Sequence, residues 1–121
     1  MGVDRTSYLL YGFKFTNEKE KDVIDENWDD LMEDSPAAEI FNSSDSGQAL
    51  VYDYMCGEYC YVGLVLAKVD EYDDDNTIEL NHEELYGLKD KLFECMKKWP
   101  NYLTDLCKDK FPKMYFFILA Y

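Results

Sequence analysis

The chain is poor in the residues that most catalytic sites use. Its 121 residues include one histidine, His82, and one arginine, Arg5, and only six glycines. The phosphate-binding and nucleophile motifs G-x-x-x-x-G-K-S/T, G-x-G-x-x-G and G-x-S-x-G do not occur. His82 stands beside Glu83 and Glu84 at the start of a predicted helix, which is typical of a surface side chain. We therefore expect that the protein is not an enzyme.

Long apolar runs and a secretory signal are missing as well. The longest apolar stretch, residues 114–121, is too short to span a bilayer. Asp4, Arg5 and Lys14 interrupt the start of the chain, where a signal peptide needs a continuous apolar core. We therefore expect a cytoplasmic protein without a membrane partner, whose cysteines are reduced and mostly buried thiols.

The four cysteines do not form a complete metal motif. Three residues separate Cys56 from Cys60, a spacing that fits a pair of zinc ligands, but eleven separate Cys95 from Cys107. Burial as small apolar side chains explains Cys95 and Cys107 more simply. We expect no zinc site.

A calcium loop is also incomplete. Asp73, Asp75, Thr77 and Glu84 have the spacing of ligands in an EF-hand loop, but Ile78 stands where that loop requires glycine. A predicted strand also precedes the segment, where an EF-hand has a helix. We expect no metal and no other cofactor.

Apolar residues make up 47% of the chain and aromatic residues 17%, which predicts a folded protein with one core. We expect a single domain over residues 1–121. Apolar and aromatic stretches with the length of strands occupy residues 7–15, 48–55, 59–69 and 113–121.

Helical spacing of apolar residues predicts two main helices and a short third one. The first begins at Thr16 or Asn17 and stops at the Ser35-Pro36 pair. The second begins at Asn81 with a capping-box pattern, buries one face, and ends at Pro100. That face consists of Leu85, Leu88, Leu92 and Met96 or Trp99. The order β-α-β-β-α-(α)-β predicts an α+β fold of the ferredoxin-like, split βαβ pattern, a four-stranded antiparallel sheet with helices on one face.

Charge is the most unusual property of the chain. It has 26 acidic against 12 basic residues, a formal net charge of −14. Such a field repels nucleic acid and anionic membranes and attracts basic surfaces. The acids are concentrated in the first helix and in residues 70–84, whereas residues 89–113 carry seven lysines and four acids. We therefore expect no direct binding of nucleic acid and a partner with a basic surface.

Acidic residues recur at steps of three and four along the first helix, which places them in one row. Like charges at this spacing destabilise a helix by a few tenths of a kcal/mol per pair, so we expect the row to have a use. A row of carboxylates resembles the phosphates of a nucleic-acid strand and fits the basic channel of a nucleic-acid-binding protein. The residues that we expect to bind the partner are Glu18, Asp22, Asp25, Glu26, Asp29, Asp30, Glu33, Asp70, Glu71, Asp73, Asp74 and Asp75.

Two stretches of the sequence, MGVDRTSYLLYGFKF and YDYMCGEYCYVGLVLAK, resemble short acidic proteins of bacterial viruses. The likeness carries no diagnostic motif and assigns no residue a role. It implies an inhibitor that mimics nucleic acid and blocks a host defence nuclease, of the anti-CRISPR or anti-restriction type. The location would then be the cytoplasm of the host cell.

Two alternatives remain open at this stage. The chain has eleven tyrosines, and tyrosine is enriched at protein interfaces. One alternative is therefore a homo-oligomeric interaction module, such as a homodimer, with an exposed aromatic sheet face formed by Tyr8, Tyr52, Tyr54, Tyr59 and Tyr61. The other is a small metal-dependent or Cys/His enzyme that uses His82 and the cysteines.

Overall fold

The structure is a computed structural model and describes residues 5–32, 35–42, 46–52, 59–70 and 80–120. These ranges contain four strands and six helices. In chain order they are β1 (Arg5–Phe15), α1 (Glu18–Glu26), α2 (Trp28–Met32), α3 (Pro36–Asn42), β2 (Gln48–Tyr52), β3 (Cys60–Asp70), α4 (His82–Tyr86), α5 (Leu88–Met96), α6 (Asn101–Cys107) and β4 (Lys113–Ala120).

The four strands form one sheet in the order β2-β3-β1-β4, and every neighbouring pair is antiparallel. The predicted α+β class with a four-stranded antiparallel sheet is thus confirmed. In the centre of the sheet Gly12 of β1 lies opposite Gly63 of β3. A Cβ atom on Gly12 would lie 2.1 Å from the carbonyl oxygen of Val62, so this close approach of two strands requires glycine.

The main core lies between the helices and one face of the sheet. The buried residues that the helices contribute belong to this core, except Ala38 of α3, and the sheet side is formed by β1, β2 and β3. The indole N–H of Trp99, after α5, donates a hydrogen bond of 2.6 Å to the side-chain oxygen of Gln48 in β2. The fully buried large side chains of this core are Phe13, Phe15, Ile24, Leu31, Val62, Leu92 and Leu103.

The opposite face of the sheet carries a second cluster, which is aromatic. The ring of Phe117 stacks on Tyr61 at 3.9 Å and on Tyr8 at 5.2 Å between centroids. Tyr8 and Tyr61 are each only 9% exposed, because these rings cover one another. The prediction of an exposed tyrosine face is therefore wrong for both residues.

The other three tyrosines of that prediction do not form an exposed aromatic sheet face either. Tyr52 lies on the helix side of the sheet, where its ring meets Trp28 edge to face at 5.6 Å. Tyr59 is half-buried, and Tyr54 lies outside the described residues. Alternation along β2 places Tyr52 opposite to the face on which Val51 packs, so the five tyrosines do not share one surface.

The predicted first helix is divided in two. Asn27 separates α1 from α2, with φ −108° and ψ 16°, and its side-chain N–H donates to the carbonyl oxygen of Val23 at 2.9 Å. Ser35-Pro36 was expected only to stop the helix, but Pro36 begins α3. Proline suits the first helical position because its missing N–H would have no partner there, and the Ser35 hydroxyl accepts from the Ala38 N–H at 3.1 Å.

The predicted second helix is divided at Gly87 into α4 and α5. Asn81 precedes α4, but its side chain makes no capping hydrogen bond, so the predicted capping box does not form. Leu88, Leu92 and Trp99 are buried as expected, whereas Leu85 is exposed because α4 does not continue the buried face of α5. None of the described helices has the length and apolar character that crossing a membrane requires.

Candidate functional site

The acid-rich helix α1 begins with a complete capping box. The side-chain oxygen of Asn17 accepts from the backbone N–H of Lys19 at 2.8 Å. The backbone N–H of Asn17 donates in return to Glu20 at 3.2 Å. Asn17 is therefore the N-cap, one of the two predicted candidates, and this reciprocal pair fixes where the acidic row starts.

One side of α1 and α2 faces the core and leaves the acids outside. Ile24 and Leu31 are fully buried, and Trp28 packs partly against the same core. Because neighbours three and four positions apart share a side of a helix, the acids project from the remaining surface. The exposed carboxylates of these two helices, which we call the acidic ridge, are Glu18, Asp22, Asp25, Glu26, Asp29 and Asp30.

Two members of the acidic ridge accept hydrogen bonds from tyrosines of other elements. The phenol of Tyr102 in α6 donates to the Asp30 carboxylate at 2.6 Å. Burial raises the pKa of Tyr102, and the hydrogen bond to Asp30 and its negative charge raise it further. The phenol therefore stays protonated and remains a donor at neutral pH, so Asp30 is held in one position.

Asp25 is held in a similar way from the sheet. The pKa of Tyr52 in β2 is raised by burial first, and then by the charge of Asp25 and a hydrogen bond to it. Tyr52 itself is fixed by its contact with Trp28. Two carboxylates on successive helices thus interact with phenols from other elements of the fold.

Glu20 belongs to α1 but not to the acidic ridge. Its carboxylate lies 2.9 Å from the Lys110 ammonium, and both side chains are partly buried. The same ammonium lies 5.7 Å from the centre of the Phe15 ring. This ion pair joins α1 to the segment between α6 and β4 and compensates the charge of Glu20.

Positive charge gathers at the neighbouring end of the sheet. A pocket of about 190 Å³ there is lined by Phe13, Lys14, Lys110, Phe111, Lys113 and Tyr115. The Lys14 ammonium lies 4.2 Å above the ring of Tyr59, a favourable cation–π distance. Three lysines thus line this pocket, and one of them, Lys110, forms the ion pair with Glu20 of α1.

The structure places only part of the predicted binding surface. Six of the predicted residues form the acidic ridge. Asp70 is the last residue of β3, where its backbone lies opposite Thr6, and nothing is described of its side chain. The others lie outside the described residues: Glu33, Glu71, Asp73, Asp74 and Asp75.

Within the described part of the chain, the residues considered for catalysis or metal binding do not assemble into a metal site, although Cys60 and Cys107 lie close enough to interact. Among the described residues there is no group of three or more His, Cys, Asp or Glu side chains that could hold a metal ion. Cys60 and Cys107 are buried free thiols, and Cys56 is not among the described residues. His82 is exposed, and its Nε2 lies 3.1 Å from the hydroxyl of Tyr86.

Sequence reasoning missed Tyr52 and Tyr102 as neighbours of the acidic residues. Each is far from its partner in the chain, and the hydrogen bond from Tyr102 spans 72 positions. No local pattern marks them, since a tyrosine beside apolar residues is also typical of a core. Their contribution follows only from the packing of β2 and α6 against the first two helices.

The described residues thus define an α+β protein in which two helices carry the acidic ridge on the outside of a four-stranded antiparallel sheet. Comparison of the chain with protein-family models, with curated proteins and with solved structures gives no match.

Proposed function

We propose that this protein is a small acidic inhibitor that mimics nucleic acid and blocks a basic site on a host defence nuclease, of the anti-CRISPR or anti-restriction type. The observation that carries the proposal is the acidic ridge, six exposed carboxylates on consecutive turns of α1 and α2. Its partner is a basic protein surface, and the inhibitor binds neither nucleic acid nor membranes itself. It acts in the cytoplasm, which for a viral protein is that of the host.

The spacing of the acidic ridge supports a contact with a nucleic-acid-binding site. Residues four positions apart on a helix are about 6 Å apart along its axis, so Glu18, Asp22 and Glu26 offer a regular row of charges. Arginine and lysine side chains that bind successive phosphates would meet carboxylates at a comparable pitch. Affinity would come from the release of counterions from both surfaces, as it does for nucleic acid.

The tyrosine contacts support tight binding in a different way. An exposed acidic side chain normally loses rotamer freedom when it pairs with a cation, which costs roughly 0.5–1.5 kcal/mol for a long side chain. Asp25 and Asp30 are already held by Tyr52 and Tyr102. The acidic ridge is therefore partly ordered before it meets a partner.

We further propose that the fold is of the ferredoxin-like type. The strand order β2-β3-β1-β4 with all neighbours antiparallel is the arrangement that a split βαβ pattern with this connectivity produces. The divided helices α1–α2 and α4–α5 would correspond to its two crossover helices. In this arrangement the first crossover helix lies on the outer surface, available to a partner.

The proposal is tested by inhibition of nuclease cleavage. The chain would be added to a panel of CRISPR effector nucleases and restriction enzymes with their DNA substrates, at low and at moderate salt. We expect inhibition of at least one of these enzymes, relieved by excess substrate DNA and weakened by salt. If no enzyme of either class is inhibited, the proposed function is wrong.

A charge-matched pair of variants locates the inhibitory surface. The first replaces Asp22, Glu26 and Asp29 by lysine and spares the two tyrosine-bound aspartates. The second replaces the exposed Asp90, Asp105 and Asp109 by lysine, with the same change in net charge. We expect the first variant to lose inhibition and the second to keep it. Equal loss in both would show that only total charge matters.

A further inference from the structure

The strand β4 is a long open edge of the sheet. Among the described strands it pairs only with β1, so its other side presents backbone N–H and C=O groups without a neighbouring strand in that part of the chain. The opposite edge differs, because β2 has five residues and α3 packs against it. The two edges of the sheet are thus unequally protected.

The face of β4 that points to the helix side is also uncovered. Met114, Phe116 and Ile118 alternate along this face and are 43%, 63% and 59% exposed. On the same face of neighbouring β1, Phe13 and Phe15 are fully buried beneath the helices. The helical layer therefore covers the end of β1 beyond the residues that pair with β4, and leaves a stripe of three large apolar side chains on β4.

Natural proteins normally protect such an edge with charges, prolines or bulges. In β4 the one charged residue is Lys113, at its first position, and Pro112 stands before it. The irregularity that the sheet does contain lies elsewhere, between β1 and β3 at Leu9 and Leu10. An exposed apolar edge strand of this kind indicates a surface that is covered by another strand.

We propose that β4 pairs with β4 of a second copy of this chain, which joins two sheets into one eight-stranded sheet across a two-fold axis. An antiparallel pairing centred on Phe116 sets this residue against its own copy and Met114 against Ile118, all on one face. The three exposed apolar side chains of both copies then form one continuous surface. Because its exposed apolar residues are spaced symmetrically about Phe116, β4 of one copy is complementary to β4 of the other.

The distribution of charge allows a second copy at this edge more readily than elsewhere on the surface. The chain carries a net charge of −14, so two copies repel each other in most orientations. Residues 110–120 contain two lysines and no acid. Pairing through β4 brings together the part of the chain that lacks acids, and in the pairing centred on Phe116 the two Lys113 side chains lie at opposite ends.

The test is the mass of the full chain in solution, measured by sedimentation equilibrium over a wide range of concentrations at moderate salt. We expect a monomer–dimer equilibrium. Phe116→Lys should weaken the dimer by about tenfold or more, because it places a charge at the centre of the contact. Tyr86→Lys, at an exposed aromatic residue of α4 outside β4, should leave it unchanged.

Each result decides the proposal. A wild-type chain that stays monomeric at all concentrations would overturn it, and so would a dimer that survives Phe116→Lys with unchanged strength. If circular dichroism shows that Phe116→Lys does not fold, Ile118→Lys at the outer part of the stripe replaces it, with the same expected loss of dimer. The nuclease assay does not enter this measurement, so failure of the dimer leaves the proposed function intact.

Discussion

At the residue scale, the acidic ridge depends on two phenols that belong to other elements. Tyr102 reaches Asp30 from α6, and Tyr52 reaches Asp25 from β2. In both cases a neutral donor satisfies a carboxylate without removing its charge. A lysine in the same place would order the side chain as well, but it would cancel the charge of the acidic ridge. Tyrosine therefore combines order with retained negative charge.

The contribution of one of these phenols to stability can be measured directly. Tyr102→Phe removes the hydroxyl that donates to Asp30 and leaves the ring in place. We expect the free energy of unfolding in urea to fall by about 1 kcal/mol, since the bond is charge-assisted but lies near the surface. Tyr86→Phe is the control; its hydroxyl lies beside the exposed His82 ring, where water can replace the lost contact, so the change should have little effect. Equal values for the two variants would contradict the described contact.

The two buried thiols predict how stability depends on pH. Burial raises the pKa of Cys60 from 9.0 to about 12, assisted by the charge of Asp25 and by Cys107. Burial also raises the pKa of Cys107 to about 12; Lys110 opposes this shift and Glu20 adds to it. Both thiols are protonated in the folded protein at a pH at which the unfolded chain has lost these protons.

Stability should therefore be fully present below pH 9.0 and fall as the pH rises towards about 12. The unfolded state binds fewer protons in this window, so each thiol contributes a slope on the order of 1.4 kcal/mol per pH unit. Urea unfolding with reductant at several pH values measures it. Cys60→Ala should lower the slope in this window as well as the overall stability; a slope equal to that of the wild type would count against the burial of this thiol.

At the element scale, the strands were the most predictable part of the fold. β1, β3 and β4 lie within two residues of the predicted bounds, because each is a run of apolar and aromatic residues. The helices were less predictable. Asn27 interrupts the first helix through a hydrogen bond to Val23, and Pro36 is compatible with either the end or the start of a helix. The helix α3 has only seven residues, beginning with this proline, so its apolar periodicity is too short to predict it.

The candidate site was predictable only in part, for a related reason. The exposure of the acidic ridge follows from the spacing of Ile24, Trp28 and Leu31, which local sequence shows. Its contacts with Tyr52 and Tyr102 depend on packing between distant elements. The same is true of the tyrosine face, because alternation alone does not tell which side of a strand the helices cover or how rings on the other side stack.

Two glycines provide a matched test of the strand contact at the centre of the sheet. Gly12→Ala would place a methyl group 2.1 Å from the Val62 carbonyl oxygen, so β1 and β3 would have to separate. We expect the free energy of unfolding to fall by about 2 kcal/mol or more. Gly87→Ala meets nothing within 4 Å, and its φ of −90° suits alanine. It should be neutral or stabilise by about 0.5 kcal/mol. Similar values for both would mean that the close approach of the strands is not as described.

At the scale of the whole molecule, the charges and the apolar surface lie on different parts of the fold. The acidic ridge lies on α1 and α2, and lysines line the pocket between β1 and the start of β4. The exposed apolar stripe lies on β4, in a segment without acids. A protein with this division can present its negative surface to a basic partner and use the edge that lacks acids for a second copy. Binding of a basic partner by the negative surface is the central claim.

That claim is tested most directly by the salt dependence of binding to a nuclease that the chain inhibits. The dissociation constant would be measured at several salt concentrations for the wild type, for the variant with lysine at Asp22, Glu26 and Asp29, and for its charge-matched control. Counterion release makes the logarithm of affinity fall linearly with the logarithm of salt concentration. We predict a steep slope for the wild type and the control, and weaker affinity with a shallower slope for the acidic-ridge variant. Equal affinities and slopes for the two variants would contradict the account.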